Sequence, residues 1–260
     1  MSATPYLEAV GVSKYYDNFA ALKDVSLSVR SGEVVCLLGD NGAGKSTLIQ
    51  LLSGVIRPDE GTVRVDGRDQ TFDSPNDALD QGIATVFQDL AVVPMMPVYR
   101  NFFLGREPAT GWGPFRRFDH ARAIQVAQDE LKGLGLKVSD VRRPIGTLSG
   151  GQRQSVAVAR AVHFGARILI LDEPTSALGV RQAEMVMDYI RVARDRGVGV
   201  ILITHNVQHA YPIADTFVVL FLGRQLGTFK KSDLSEQELM RLMAGKVETL
   251  DALTARKAGH

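Results

Sequence analysis

The chain has 260 residues, 45% of them hydrophobic, which suits one large α/β unit or a core carrying an inserted subdomain. Lysine and arginine number 30 against 29 acids, a net charge of +1 that argues against nucleic acid as a partner. The single cysteine, Cys36, excludes an internal disulfide, and the five histidines make no metal-site spacing.

Residues 6–12 and 25–29 alternate and predict strands, with Tyr15 and Tyr16 between them in a polar loop. An aromatic there can stack on a nucleotide base or cover the edge of the core. Residues 1–10 carry no charged-then-apolar leader.

The apolar run 34–38 then enters Gly39-Asp40-Asn41-Gly42-Ala43-Gly44-Lys45-Ser46, and Thr47 and Leu48 follow. Strand, glycine loop and helix at this spacing form a phosphate cradle. Glycines let backbone N–H groups converge on phosphate oxygens, and the helix N-terminus favours the same anion. Lys45 can reach the β- and γ-phosphates, and the Ser46 hydroxyl can hold Mg²⁺. Leu48, Leu51, Leu52 and Val55 fall on one helical face.

Residues 57–61 read as a turn, 62–65 as a strand and Asp66-Gly67 as a hairpin, so an antiparallel sheet flanks the nucleotide core. Ser74-Pro75 starts a short helix, and 83–87 is a strand leading to Gln88. From about residue 90 the texture changes. Pro94, Pro97, Pro108 and Pro114 interrupt the chain, Gly111-Trp112-Gly113 reads as a flexible aromatic stretch, and Asp119 caps a helix ending near 133–135. No β-like run shows between about 90 and 145, which predicts a helical insert.

Alternation then resumes. Residues 152–164 read as a helix, 167–171 as a strand, 180–196 as a helix and 198–204 as a strand with a helix after it. A hairpin turns about Gly223-Arg224, and Ser235 with Glu238 forms a capping box for the last helix. The apolar runs fall far short of the ~20 residues needed to span a bilayer. The expectation is a soluble cytosolic chain that works at a membrane only through a partner.

Four further places carry chemistry. Asp172 and Glu173 end an apolar strand, which puts two acids at the sheet edge where the glycine loop sits. Asp172 is the candidate Mg²⁺ ligand and Glu173 the candidate general base. Ser149 and Gln152 form a capping box, but Gly150 and Gly151 between them need a second reason, which close approach to an anion supplies. That makes two phosphate-suited helix ends for one set of acids, so sites completed between two molecules are a possibility. His205 and Gln88 each follow a strand, where His205 can contact the γ-phosphate region and Gln88 can ligate Mg²⁺ or position water.

Together these stretches resemble the ATP-binding cassette (ABC) ATPases, most specifically through Leu148-Ser149-Gly150-Gly151-Gln152 upstream of 168–173. The resemblance implies an α/β phosphate-loop (RecA-like) core with an antiparallel β-subdomain (residues 1–89 and 153–245), a helical subdomain (about 90–152) and a tail (246–260). It implies ATP and Mg²⁺ as cofactors. Tyr16 matches the adenine-stacking aromatic, and residues 39–47 match the phosphate loop. Ser149 to Gln152 match the signature that caps the ATP of a second subunit. Asp172 and Ser46 match Mg²⁺ ligands, Glu173 the catalytic acid and His205 the switch histidine. Gln88 matches the glutamine that senses Mg²⁺ and connects to a membrane permease, and residues 92–105 would face that permease.

One departure stands out: Ser176-Ala177-Leu178 is followed by Gly179, where the family usually has Asp. It bears on how tightly two sites communicate and removes no Mg²⁺ ligand and no base. Residues 39–46, 101–107 and 204–206 resemble the ATPases of ribose-, xylose- and fructose-type importers. This implies a homodimer on the cytoplasmic face of the inner membrane, a permease and, indirectly, an extracytoplasmic sugar-binding protein. It leaves open another small solute, such as an amino acid or nucleoside, or a soluble cassette outside transport.

Overall fold

The computed structural model describes residues 4–136, 138–176 and 178–246, so the expected C-terminal tail lies outside the described residues apart from Lys246. Strands β1 (Leu7–Tyr16) and β2 (Phe19–Val29) form an antiparallel pair, and β3 (Val34–Leu38) leads to helix α1 (Lys45–Leu52). Hairpin β4 (Glu60–Val65) and β5 (Arg68–Gln70) turns on Asp66-Gly67, both at positive φ, as the dipeptide predicts. Helix α2 (Pro75–Asp80) starts at the Ser74 capping box, and β6 (Ile83–Val86) follows.

The insert holds α3 (Val98–Phe102), the two-residue strands β7 (Ala109–Thr110) and β8 (Arg117–Phe118), and α4 (His120–Gly133). The chain returns through α5 (Gly150–His163), β9 (Ile168–Asp172), α6 (Val180–Asp195) and β10 (Gly199–Thr204). One helical turn, α7 (Val207–Ala210), precedes β11 (Thr216–Phe221), β12 (Arg224–Lys230) and α8 (Glu236–Met243).

Ten strands make one sheet in the order β5-β4-β1-β2-β12-β11-β3-β10-β9-β6. Strands β11, β3, β10, β9 and β6 run parallel, whereas β2, β1, β4 and β5 are antiparallel. The parallel strands are mainly apolar because both faces are covered, with Asp172 and Thr204 at the ends of β9 and β10. Val34, Cys36 and Leu38 face the cluster shared with the insert and α5 to α8, while Val35 and Leu37 face Leu48, Leu51 and Leu52 of α1. Cys36 is fully buried, as its apolar run suggests, and burial raises its thiol pKa well above the ordinary value.

Four local expectations need correction. Tyr15 and Tyr16 are not in a loop, because β1 continues past Val12 through register shifts and pairs Tyr15 with Ala20 and Tyr16 with Phe19. Irregular pairing hides such a strand from a period-2 search. Val55 lies beyond α1, which ends at Ser53-Gly54, and is 47% exposed. The insert does contain strands, although two-residue strands have no period to detect. The last hairpin turns on Leu222-Gly223, both at positive φ, and Arg224 is already in β12.

Candidate nucleotide site

Strand register puts the chemistry on one edge. Leu38 of β3 pairs with Thr204 of β10, and Asp172 of β9 pairs with Ile203. The residues leaving these ends are therefore Gly39, His205 and Glu173, side by side. Strand β6 pairs Val86 with Leu171, so Gln88 leaves the same edge two residues later.

The loop closes tightly over the sheet. A Cβ on Gly44 would lie 2.7 Å from the Ala21 carbonyl oxygen, and Gly44 is in the left-handed region at φ 99°. No side chain caps α1, in contrast with α4, α5 and α8, so its first-turn N–H groups are left for an anion. Lys45 is buried, with Nζ donating to the carbonyls of Gly39 (2.8 Å) and Asp40 (3.0 Å). Burial lowers its ammonium pKa, against the pull of Glu173, Asp40 and Asp172. Ser46 is exposed at the helix start.

The acids sit under the loop. Burial and the neighbouring Glu173 charge raise the Asp172 pKa, and Lys45 opposes them. Glu173 is in the left-handed region at φ 46°, held by its N–H donating to the Ile203 carbonyl (2.9 Å). Its carbonyl accepts from the Ser176 hydroxyl (2.9 Å). Its carboxylate accepts from the His205 N–H (3.0 Å) and the Thr204 hydroxyl (3.2 Å), with the His205 ring Nδ1 2.8 Å away. A strained backbone residue with its side chain fixed on the end of the neighbouring strand β10 is a positioned group.

A hollow of about 350 Å³ lies beside the loop, lined by Tyr16, Phe19, Asn41, Gly42, Lys45 and Thr47. Tyr16 is 46% exposed and its cross-strand partner Phe19 is 66% exposed. Lys14 Nζ lies 5.9 Å from the Tyr16 ring centre. Phe19 and Thr204 were not singled out from the sequence. Two aromatics flanking Asp17-Asn18 were the available signal for Phe19.

Ser149 to Gln152 do not join this hollow. Ser149 caps α5 in a reciprocal box, with the Gln152 N–H on the Ser149 hydroxyl (3.3 Å) and the Ser149 N–H on Gln152 Oε1 (3.0 Å). The glycine pair has a packing reason that the sequence did not reveal. A Cβ on Gly151 would lie 3.0 Å from Gln182 Cβ and 3.1 Å from its carbonyl oxygen, and one on Gly150 would lie 2.6 Å from Leu178 Cδ2. Gln88 is exposed beyond β6.

A glycine loop between a parallel strand and an uncapped helix, facing a buried lysine and two strand-end acids, defines a phosphate-loop nucleotide-binding protein. Residues 22–176 match the ABC transporter family, and the chain belongs to it. Over 252 residues it is 40% identical to a fructose import ATP-binding protein, FrcA, of Rhizobium meliloti, covering 95% of this chain and 97% of that one. It is 42% identical over 238 residues to a xylose/arabinose import ATP-binding protein, XylG, of Sulfolobus acidocaldarius, covering 91% and 93%. Among solved structures, the dimeric post-hydrolysis state of an ATP-binding cassette bound to ADP and Pi is similar with a TM-score of 0.71 and 26% identity. That match covers 86% of this chain and 98% of that one. Among the described residues, no helix is long and apolar enough to cross a membrane.

Proposed function

We propose that the chain is the ATP-hydrolysing subunit of an importer that energises uptake of a simple sugar through a separate membrane permease. The observation that carries this reading is the meeting of Lys45, Asp172, Glu173 and His205 on one sheet edge, in a chain whose near-full-length relatives are named for fructose and xylose/arabinose import.

ATP would lie with its phosphates on the amides of residues 40–47 and on the Lys45 ammonium, and its base against Tyr16 and Phe19. Glu173 accepts a proton from water as the water oxygen bonds to the γ-phosphorus. The bond from that phosphorus to the bridging oxygen of ADP breaks. His205 and Thr204 hold the carboxylate for this step. No group of three or more His, Cys, Asp and Glu forms a metal cage among the described residues. Mg²⁺ bound mainly by phosphate oxygens needs only one or two protein groups, and the Ser46 hydroxyl and Asp172 fit that need, with Gln88 at the rim. Burial first, and the Glu173 charge second, raise the Asp172 pKa, and a cation bound there would favour the carboxylate. When bound, Mg²⁺ would neutralise charge on the phosphate oxygens.

The signature residues Ser149, Gly150, Gly151 and Gln152 would cap the ATP of a second copy, making a head-to-tail homodimer. The permease would dock in the apolar groove of about 330 Å³ between edge strand β6, the 87–92 loop and α5, bordered by Asn101 and Arg106. The dimer would then work at the cytoplasmic face of the inner membrane, with a sugar-binding protein acting indirectly on the far side.

The test is tagged Glu173→Gln protein carrying ATP, pulled from detergent-solubilised membranes of the native host. Co-purification of a polytopic permease and a sugar-binding protein is the expected result. Ribosomes, DNA or no membrane protein would overturn the transport reading and leave the nucleotide chemistry in place.

A further inference from the structure

The insert carries a feature that nucleotide chemistry does not use. Strands β7 and β8 pair Thr110 with Arg117, and the chain between them closes a tip containing Trp112, Phe115 and Arg116. Trp112, the only tryptophan of the chain, is 80% exposed and Phe115 is 76% exposed. The turn is closed rather than trailing. Gly111 is left-handed at φ 85°, the Phe115 N–H donates to the Trp112 carbonyl at 3.2 Å, and a Cβ on Gly111 would lie 2.5 Å from the Phe115 carbonyl oxygen.

The base of the hairpin is fastened to the insert. The Asp119 N–H donates to the Pro108 carbonyl (2.8 Å). The Phe118 ring packs against Tyr99 and His120, at centroid distances of 6.2 and 4.8 Å, and the Arg100 guanidinium lies 5.6 Å from it. A closed tip on an anchored base exposes two large aromatics together.

Arg116 and Arg117 flank these rings and are exposed. Neither has an ion-pair partner among the described residues, whereas Arg57, Arg64, Arg191 and Arg194 each lie on an aspartate. The tip is therefore an apolar pair with two unneutralised cations beside it.

We infer that the hairpin tip of Trp112, Phe115, Arg116 and Arg117 is a shallow anchor for the anionic headgroups of a lipid surface. Trp and Phe suit the boundary between headgroups and acyl chains. Each guanidinium presents several donors to a lipid phosphate. A hairpin tip is too small for a stable protein interface, which takes roughly 800 Å² per partner. Weak attraction to a charged leaflet, about fivefold for each basic residue, needs no such area. The anchor goes beyond the importer reading and stands apart from ATP binding.

Trp112 reports its own contact. The full chain is mixed with vesicles of phosphatidylcholine alone or with added phosphatidylglycerol, and its emission is followed with and without brominated acyl chains. Expected are a blue shift and quenching with the anionic vesicles, lost at high salt. The Arg116→Gln/Arg117→Gln pair should weaken vesicle affinity by roughly 25-fold. Phe115→Ser should weaken it as well, and both variants should keep wild-type ATP affinity. Absence of a shift with either vesicle, or an equal shift with both, overturns the anchor. A shift seen only in proteoliposomes holding the whole transporter also overturns it and assigns the tip to the permease. ATP binding measured on the same samples separates failure of the anchor from failure of the nucleotide reading.

Discussion

His205 grips one oxygen of Glu173 twice, through its main-chain N–H at 3.0 Å and its ring Nδ1 at 2.8 Å. Thr204 holds the other oxygen, so the carboxylate has a defined direction before substrate arrives. Glu173→Gln keeps the shape and removes the base. Hydrolysis is expected to fall roughly 10²–10⁴-fold with ATP affinity preserved, measured by phosphate release and nucleotide titration. Near-normal turnover would remove Glu173 from this role.

Gly151 faces Gln182 at the α5–α6 junction, where an added Cβ would press on the Gln182 Cβ at 3.0 Å and its carbonyl oxygen at 3.1 Å. Gly151→Ala is expected to destabilise the monomer by ~1–3 kcal/mol in urea unfolding, because one helix must shift from the other. Gly150→Asp is the milder clash, against a flexible leucine end, and is the better probe of the shared site. It should abolish ATP-dependent dimerisation of Glu173→Gln protein in gel filtration while the monomer still binds ATP. A dimer that persists would contradict the shared site.

Gly179 caps α6 at φ −69° and ψ 160°, with nothing within 4 Å of an added Cβ. Helix α6 also has no acid in its first turn. Gly179→Asp, which restores the residue usual in the family, should therefore fold normally and gain ~0.3–0.8 kcal/mol through capping. A lower melting temperature would show that this segment tolerates no side chain.

Phe19 shares the base-side hollow with Tyr16. Replacing either by Ala should weaken ATP binding by ~1–2 kcal/mol, and GTP similarly, because stacking is tolerant of base identity. Unchanged affinity in Phe19→Ala would leave Tyr16 as the sole platform.

Burial lowers the Lys45 pKa below 10.5. Between the folded value and 10.5 the unfolded chain holds more protons at this site, so the free protein gains stability as pH rises through that window. Bound phosphates favour the ammonium and raise its pKa, so the stabilisation contributed by ATP should shrink over the same window. Melting curves with and without ATP at neutral pH and just below 10.5 read both slopes. A pH-independent ATP increment would separate Lys45 from the phosphates.

The phosphate loop, the acids at the end of β9, the Ser74 cap and the capping boxes at Ser149 and Ser235 were legible because each is a contiguous pattern with a local physical cause. Tyr16 was legible as an aromatic but not as a strand residue, since register shifts in β1 break its alternation. Phe19 was missed because its partner is set by a cross-strand pairing. The glycine pair after Ser149 suggests an anion from the sequence, yet Leu178 against Gly150 and Gln182 against Gly151, about thirty positions away, supply a steric reason.

The sequence alone determined which residues can cradle phosphate, where the apolar strands and capped helices lie, and the family they resemble, because these depend on neighbours within a few positions. Only the tertiary structure decided that Lys45, Glu173 and His205 meet, that Phe19 faces Tyr16, and that Trp112 stands exposed on a closed hairpin. Those relations depend on strand order, register and the packing of distant segments, which no local pattern encodes.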